Sequence, residues 1–445
     1  MFIQQLFMSP GRTIIFSMVL LIILGTLALA LTPSTLTPIS WFDCLFTATS
    51  SVCVTGLFTI PLEHFTTLGQ SIILCLIQIG ALGLITLSIF FWSLFATVGL
   101  STRVLTEEAF ELNTGQKPVQ LAIFSFIFTL SAECIGFISC FLLLRPHYPL
   151  PTALFYSLFH AVAAFCSAGI TPIPYQTPFV GSTTYHALII ITALLVLISG
   201  LGFAVWREIT AYFLSMPKPR KHTLSLHSRL VLNATFIIIT VMAITIFFLQ
   251  YYSLFVENPS PSYFIESTCN AITLRSAGFT TLPLGIIAPA TLFIIMLASF
   301  IGSAPGSTGS GIKVTTCALF IAAIKATLLR RDVVEVKNRT IPNDQVFKAM
   351  AILTLSAAFL ALSIFLLLIT EQHINTFDII FEAFCSFTNL GVSRGITQQL
   401  STIGKCITMV SMFIGRIGSL TVLFALKGAQ KPREFYYPEE RIIMG

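Results

Sequence analysis

The sequence runs to 445 residues, 55% of them hydrophobic and only 9% charged, with a mean hydropathy of +0.90 and a formal net charge of +6. Soluble domains carry roughly 25% charged residues, so this composition excludes a water-soluble fold, and no basic block interleaved with aromatics points to nucleic acid. Ten cysteines are present, but no CxxC pair or Cys/His cluster with metal-ligand spacing; Cys75, Cys134, Cys140, Cys317 and Cys406 lie in apolar runs and read as reduced, buried thiols.

In chain order, the first apolar run is 13–31. It follows Arg12 and ends in Ala28-Leu29-Ala30, which mimics a signal-peptide cleavage site, but it is long enough to span and reads as a retained helix. A short segment, Trp41 to Val52, leads into Cys53-Val54-Thr55-Gly56-Leu57, and a second long apolar run covers 67–97. The pattern then recurs. Run 119–144 precedes Pro151 to Phe165, Cys166-Ser167-Ala168-Gly169-Ile170 and run 185–214. Run 230–252 precedes Ser262 to Leu274, Arg275-Ser276-Ala277-Gly278-Phe279 and run 285–328. Run 347–370 precedes Phe377 to Phe387, Thr388-Asn389-Leu390-Gly391-Val392 and run 402–426. Gly56, Gly169, Gly278 and Gly391 are spaced 113, 109 and 113 residues apart. Pro38, Pro151 and Pro261 stand near the starts of three short segments, where proline suits a helix N-terminus.

Even spacing of this kind marks an internal repeat: helix, pore helix, extended loop, helix. The expected architecture is an all-α membrane protein of four tandem units with eight transmembrane helices. The unit boundaries are 1–117, 118–227, 228–345 and 346–445, the last including a cytoplasmic tail. Lysines and arginines concentrate in 98–118 (Arg103, Lys117), 215–229 (Lys218, Arg220, Lys221, Arg229), 330–346 and 427–445. The positive-inside rule then places both termini in the cytoplasm. The opposite connections hold Arg145, Arg394 and Lys405 and the acids Asp43, Glu63, Glu257, Glu371, Asp378 and Glu382, which at an outer mouth would concentrate cations.

The four short segments are too short to cross a bilayer but suit re-entrant half-helices. Non-helical backbone at membrane depth survives only where it lines a wet cavity or is buried in protein. Glycine lets consecutive carbonyls turn to one side and approach neighbouring chains without a Cβ clash. Rings of such carbonyls replace the hydration shell of a potassium ion, and the C-terminal ends of the short helices would aim their negative dipole ends at it. The competing reading of any single glycine is a helix cap or packing contact.

Two features stand out beyond the repeat. Gly302-Ser303-Ala304-Pro305-Gly306-Ser307-Thr308-Gly309-Ser310-Gly311 cannot stay helical, and run 285–328 is too long for one span; a loop held inside the membrane fits, a cytoplasmic loop between short helices being the alternative. Arg416 lies mid-way along the last run, 25 residues past Gly391, where a charge costs roughly 3 kcal/mol or more. It either sets a positive barrier or holds the loop by its carbonyls, or else ties helices through a salt bridge. Lys313 either anchors the resumed helix or snorkels. Asn270 and Glu382 sit on short segments, where they support the loops or satisfy local backbone; His160 reads as structural. No nucleophile elbow, Walker loop or metal-ligand set suggests an enzyme. A secondary transporter of sodium or another small cation, with discontinuous helices, remains the alternative, although such folds show two inverted repeats.

Val54-Thr55-Gly56-Leu57, Ser276-Ala277-Gly278-Phe279 and the repeat layout resemble the Ktr/Trk/HKT superfamily of potassium transporters over nearly the whole chain. The closest likeness is to the Ktr-type membrane subunit, since the additional N-terminal helices of Trk-type subunits are not seen. The resemblance implies pseudo-fourfold symmetry around one pore in the cell membrane. It implies a selectivity filter at Cys53, Val54, Thr55, Gly56, Cys166, Ser167, Ala168, Gly169, Arg275, Ser276, Ala277, Gly278, Thr388, Asn389, Leu390 and Gly391, with potassium at backbone carbonyls near the four glycines. All four being glycine implies a preference for potassium; Cys53, Cys166 and Asn389-Leu390 depart from commoner family residues. It also implies an intramembrane gate made by Gly302, Ser303, Gly306, Ser307, Thr308, Gly309 and Gly311, closing on Gly311-Ile312-Lys313, with Arg416 in its Gly415-Arg416-Ile417-Gly418 context beside it. Ser419 replaces the family's proline. The implied assembly is a homodimer on a cytoplasmic RCK-type ring, docked on 98–118, 215–229, 330–346 and the tail, with Phe435-Tyr436-Tyr437-Pro438 at the dimer interface or against the membrane face. This chain would hold no cofactor, and the nucleotide would be bound by the partner. Either channel or symporter behaviour is compatible with these features.

Overall fold

The computed structural model of the protein describes residues 10–36, 38–83, 118–173, 182–215, 224–253, 262–285 and 287–427. Pro261, Glu257, Arg103, Lys117, Lys218, Arg220, Lys221 and the Phe435-Tyr436-Tyr437-Pro438 patch lie outside these residues. The first helix of each unit is long: α1 (Pro10–Leu31), α4 (Pro118–Leu144), α8 (Leu226–Ser253) and α12 (Asn343–Thr370). At 1.5 Å per residue each exceeds the ~30 Å hydrocarbon core of a bilayer. With α6 (Thr183–Gly200) they make, among the described residues, five helices long and apolar enough to span a membrane. Their apolar side chains stay exposed, as at Leu24, Ile135, Phe236 and Phe365, which suits hydrocarbon solvent.

The short segments form α2 (Trp41–Val52), α5 (Leu150–Phe165), α9 (Ser262–Thr273) and α13 (Thr376–Thr388). Ser40 starts α2 by accepting from the Asp43 N–H, and Asn375 starts α13 by accepting from the Phe377 N–H; such side chains satisfy the orphan donors of a first turn. None of the four has a basic residue in its last turn, although Arg275 follows two residues beyond α9, so the negative dipole ends of α2, α5 and α13 have no basic residue of their own beside them. The largest fully buried side chains, Phe46, Phe159, Phe165 and Phe381, all lie on these short helices. The core therefore forms around the short helices and the long ones wrap it.

The second helices depart from expectation. The runs 67–97, 185–214 and 402–426 were expected to be continuous, with a break only at 302–311. Runs 185–214 and 402–426 are interrupted, and the helix of run 67–97 ends early, residues 84–97 lying outside the described residues. Helix α3 (Thr67–Leu82) stops at Gly83, with φ +76°. Helix α6 gives way at Leu201 and Gly202 (φ +87°) to α7 (Phe203–Ser215). Helix α10 (Pro289–Phe300) and α11 (Val314–Leu328) flank the glycine-rich loop. Helix α14 (Thr402–Ile417) stops at Gly418 (φ +94°) and resumes as α15 (Ser419–Lys427). A positive φ is incompatible with helix, and only glycine adopts it without penalty. The residue in the family's proline place is thus not needed for the break: Ser419 bonds Ser356 Oγ at 2.9 Å instead.

The first and fourth units share a close contact. Gly80 and Gly415 each lie 24 residues after a loop glycine, and a Cβ on either would run into the carbonyl of Val52 or Phe387, near the end of that unit's short helix. A short antiparallel hairpin, β1 (Val334–Val336) with β2 (Arg339–Ile341), joins α11 to α12. Its turn residues Lys337 and Asn338 both have positive φ, the geometry of tight hairpins.

Candidate functional site

The four glycine loops meet. A Cβ on Gly56 would strike Ala168 O; on Gly169, Ala277 O; on Gly278, Leu390 O; on Gly391, Thr55 O. Each glycine therefore faces the carbonyl that precedes the next glycine, and the fourth loop returns to the first. The circuit is closed. All four glycines have positive φ, between +69° and +92°. In loops one, two and four the residue two before the glycine is also left-handed, at Val54, Ser167 and Asn389. The third loop differs: Thr273 O accepts from the N–H groups of Ser276, Ala277 and Gly278, and Ser276 keeps a negative φ.

Several loop side chains bond away from the ring, while Arg275 Nε and Nη1 and Ser276 Oγ are buried with no hydrogen-bond partner among the described residues. The Asn389 amide nitrogen lies 3.2 Å from Cys53 O, 2.7 Å from Thr55 Oγ1 and 3.1 Å from Met412 O, so the unusual residue of loop four fastens it to loop one. Ser167 Oγ meets Ser199 Oγ at 3.3 Å, and Thr388 Oγ1 donates to Phe384 O. Arg275 is buried and its Nη2 lies 3.1 Å from where a Cβ on Gly200 would sit. Cys53 and Cys166 are fully buried.

Behind three of the loops runs one repeated brace. His160 Nδ1 meets Thr171 Oγ1 at 3.0 Å, Thr280 Oγ1 donates to Asn270 Oδ1 at 3.3 Å, and Ser393 Oγ donates to Glu382 Oε2 at 2.7 Å. In each case a short-helix side chain holds the hydroxyl two residues beyond the glycine. Asn270 also binds Thr281 through both its amide atoms, and Glu382 takes the Thr397 hydroxyl. His160 is thus a loop support like the other two. The repeat could have been seen in the sequence, because Thr171, Thr280 and Ser393 share one register; unit one has Phe58 there instead.

The acids expected at an outer mouth are mostly engaged internally, which corrects that expectation. Asp43 pairs with Lys405 at 2.9 Å and Asp378 with Arg394. Glu371 accepts from the backbone and hydroxyl of Ser401. Among these acids and within the described residues, Glu63 alone is exposed.

Loop 302–311 closes on itself between α10 and α11. Ser303 N donates to Ser310 O and Ile312 N to Phe300 O, while Ser307 Oγ reaches Ser303 Oγ and Ala304 O. The loop docks on the α6–α7 break through Ala304 N to Gly200 O and Phe203 N to Gly306 O. It touches the ring side as well: Thr308 Oγ1 donates to Phe165 O at 3.0 Å, and a Cβ on Gly309 would lie 3.2 Å from Ser276 Cβ. Ser303, Ala304, Thr308 and Ser310 are buried, so the loop lies inside the protein rather than between exposed helix ends. Lys313 Nζ donates to Gly309 O. Arg416 donates to Thr308 O (2.6 Å), Ser310 Oγ (3.1 Å), Gly80 O (2.9 Å) and Ala81 O (3.1 Å). Its acceptors are carbonyls and a hydroxyl, not a carboxylate. The guanidinium fork spans two partners at once, clamping the loop to the carbonyl end of α3, where a cation is favoured.

One residue escaped sequence reading. Glu133 lies mid-way along α4, buried, and accepts from Gln78 Nε2 at 3.1 Å. The signal was the one that singled out Arg416: an ionisable residue in an apolar span. Among the described residues, no three His, Cys, Asp or Glu converge as a metal site.

The sequence model of the TrkH family, described as cation transport protein, matches residues 5–433. The chain belongs to this TrkH family. Family membership places it among multi-pass membrane ion transporters, not enzymes. It is similar to the Ktr system potassium uptake protein B of Bacillus subtilis, at 34% identity over 98% of this chain and 97% of the relative. It is also similar to the potassium/sodium uptake protein NtpJ of Enterococcus hirae, at 30% identity over 91% and 90%. Among solved structures, the crystal structure of the potassium transporter TrkH from Vibrio parahaemolyticus matches with a TM-score of 0.73 and 19% identity, covering 94% of this chain and 84% of that one. That likeness supports a TrkH-like fold.

Proposed function

We propose that this transporter takes up potassium through the ring of glycine loops. The single observation that carries the reading is the closed circuit in which Thr55, Ala168, Ala277 and Leu390 each present a carbonyl to a neighbouring glycine. Four peptide oxygens around one axis substitute for water around a dehydrated monovalent cation, and the negative C-terminal ends of the short helices favour its charge. The Bacillus and Enterococcus relatives, a potassium and a potassium/sodium uptake protein, support the same ion class. In this reading the units 1–117, 118–227, 228–345 and 346–445 contribute eight crossing helices with pseudo-fourfold symmetry, and both termini are cytoplasmic. Loop 302–311, held by Arg416 and Lys313, is the gate. A homodimer on a cytoplasmic RCK-type ring, which supplies nucleotide sensing, completes the assembly.

The test is ion flux in liposomes holding the purified protein. The unmodified chain is expected to pass potassium in preference to sodium. Gly391→Ser, which places a side chain against Thr55 O, is expected to bring the two rates together. An unchanged potassium-to-sodium ratio in that variant would contradict the filter.

A further inference from the structure

Glu133 is 7% exposed and sits on the face of α4 turned toward the second glycine loop. Gln78 Nε2 donates to its Oε2 at 3.1 Å, Cys166 Sγ donates to Gln78 Oε1 at 3.1 Å, and the same thiol lies 3.9 Å from Glu133 Oε1. Cys166 opens the loop that carries Ala168 and Gly169. A carboxyl from unit two and an amide from unit one thus close on the root of a filter loop.

Among the described residues Glu133 enters no ion pair. Arg416 is within electrostatic reach of Cys166, but its donors go to Thr308, Ser310, Gly80 and Ala81. A buried carboxyl without a protein counter-ion either takes up a proton or needs a charge from elsewhere, and the cation in the ring is a charge able to keep it ionised. Helix packing does not demand an acid there. Glu133 lies 36 residues before Gly169, and the places 36 residues before Gly56, Gly278 and Gly391 hold Leu20, Met242 and Leu355. The acid is an asymmetric addition to an otherwise apolar position. Glu382, the other acid behind a loop, differs because His160 and Asn270 do its bracing work in their own units.

We infer that Glu133 sets the cation affinity of the ring: its carboxylate, set behind the second loop by Gln78 and Cys166, deepens the cation well at Ala168 and Gly169. This rests on the filter reading above and adds to it the source of the ring's negative potential. Glu133 touches neither ion nor gate and acts through the field and through Cys166.

The experiment compares potassium and sodium dependence of flux in liposomes for the unmodified chain, Glu133→Gln and Glu133→Asp. Glu133→Gln preserves shape and hydrogen bonding but removes the charge. It is expected to raise the half-saturating potassium concentration on the order of tenfold, the size expected for losing one partly screened unit charge near the ion, with maximal flux retained. Glu133→Asp is expected to recover most of that affinity. A Glu133→Gln protein that folds and keeps the original half-saturation would overturn the inference. If Glu133→Gln does not fold, infrared difference spectra on exchanging potassium for sodium decide the matter in the unmodified chain. A buried carboxylate band that responds to the exchange and moves in Glu133→Asp supports the inference; its absence sinks it. Loss of potassium selectivity in the unmodified chain would instead count against the filter reading itself.

Discussion

Arg416 spends its guanidinium on two elements, the loop at Thr308 and Ser310 and the end of α3 at Gly80 and Ala81. A lysine keeps the charge but not the planar fork. If the clamp is what matters, Arg416→Lys and Arg416→Ala both raise basal potassium flux severalfold; if charge alone forms a barrier, only the alanine does. Flux from liposomes separates the two, and unchanged flux in both variants would remove the residue from the gate. At this scale the sequence disclosed what was chemically out of place. Glycines at even spacing and a charge in an apolar span announce themselves, so the ring residues and Arg416 were legible, and Glu133 was equally so by the same rule. The braces were not. His160, Asn270 and Glu382 differ in type, and their common task emerges only when the chain turns back to bring Thr171, Thr280 and Ser393 beside them.

Among the elements, the long first helices and the short helices were readable from run length, and α2 begins and ends where composition placed it. The breaks in the second helices were hidden because Gly83, Gly202 and Gly418, although each follows another glycine (Gly80, Gly200 and Gly415), lie within long apolar runs where a glycine costs a helix only ~1 kcal/mol; packing, not propensity, decides to break there. Close approach is the other thing a sequence conceals. Gly415 admits the Phe387 carbonyl, so Gly415→Ala is expected to overpack the contact and destabilise by roughly 1–3 kcal/mol, seen as a lower unfolding temperature in detergent; an unchanged transition would mean that α14 shifts freely. Loop 302–311 is an element of its own, tied to Phe165, Gly200 and Phe203. Removing Ala304 to Gly309 cuts those ties and is expected to raise potassium leak from loaded liposomes, whereas a flat leak would show that the closure lies elsewhere.

For the whole molecule, the unit that matters is the circuit, since no single loop surrounds an ion. The units are joined around it by long-range bonds that bypass the chain, such as Asn389 to Thr55 and Lys405 to Asp43. These bring the last unit against the first and shut the ring. Each carbonyl needs the neighbouring glycine to lack a side chain, so the proposed filter depends on how the four loops meet. The most direct test of that claim is the anomalous diffraction of crystals of this protein soaked in rubidium, a potassium surrogate. The account predicts a rubidium peak enclosed by the carbonyl oxygens of Thr55, Ala168, Ala277 and Leu390. Density for the four loops with no rubidium between them, in protein that still transports potassium, would contradict it.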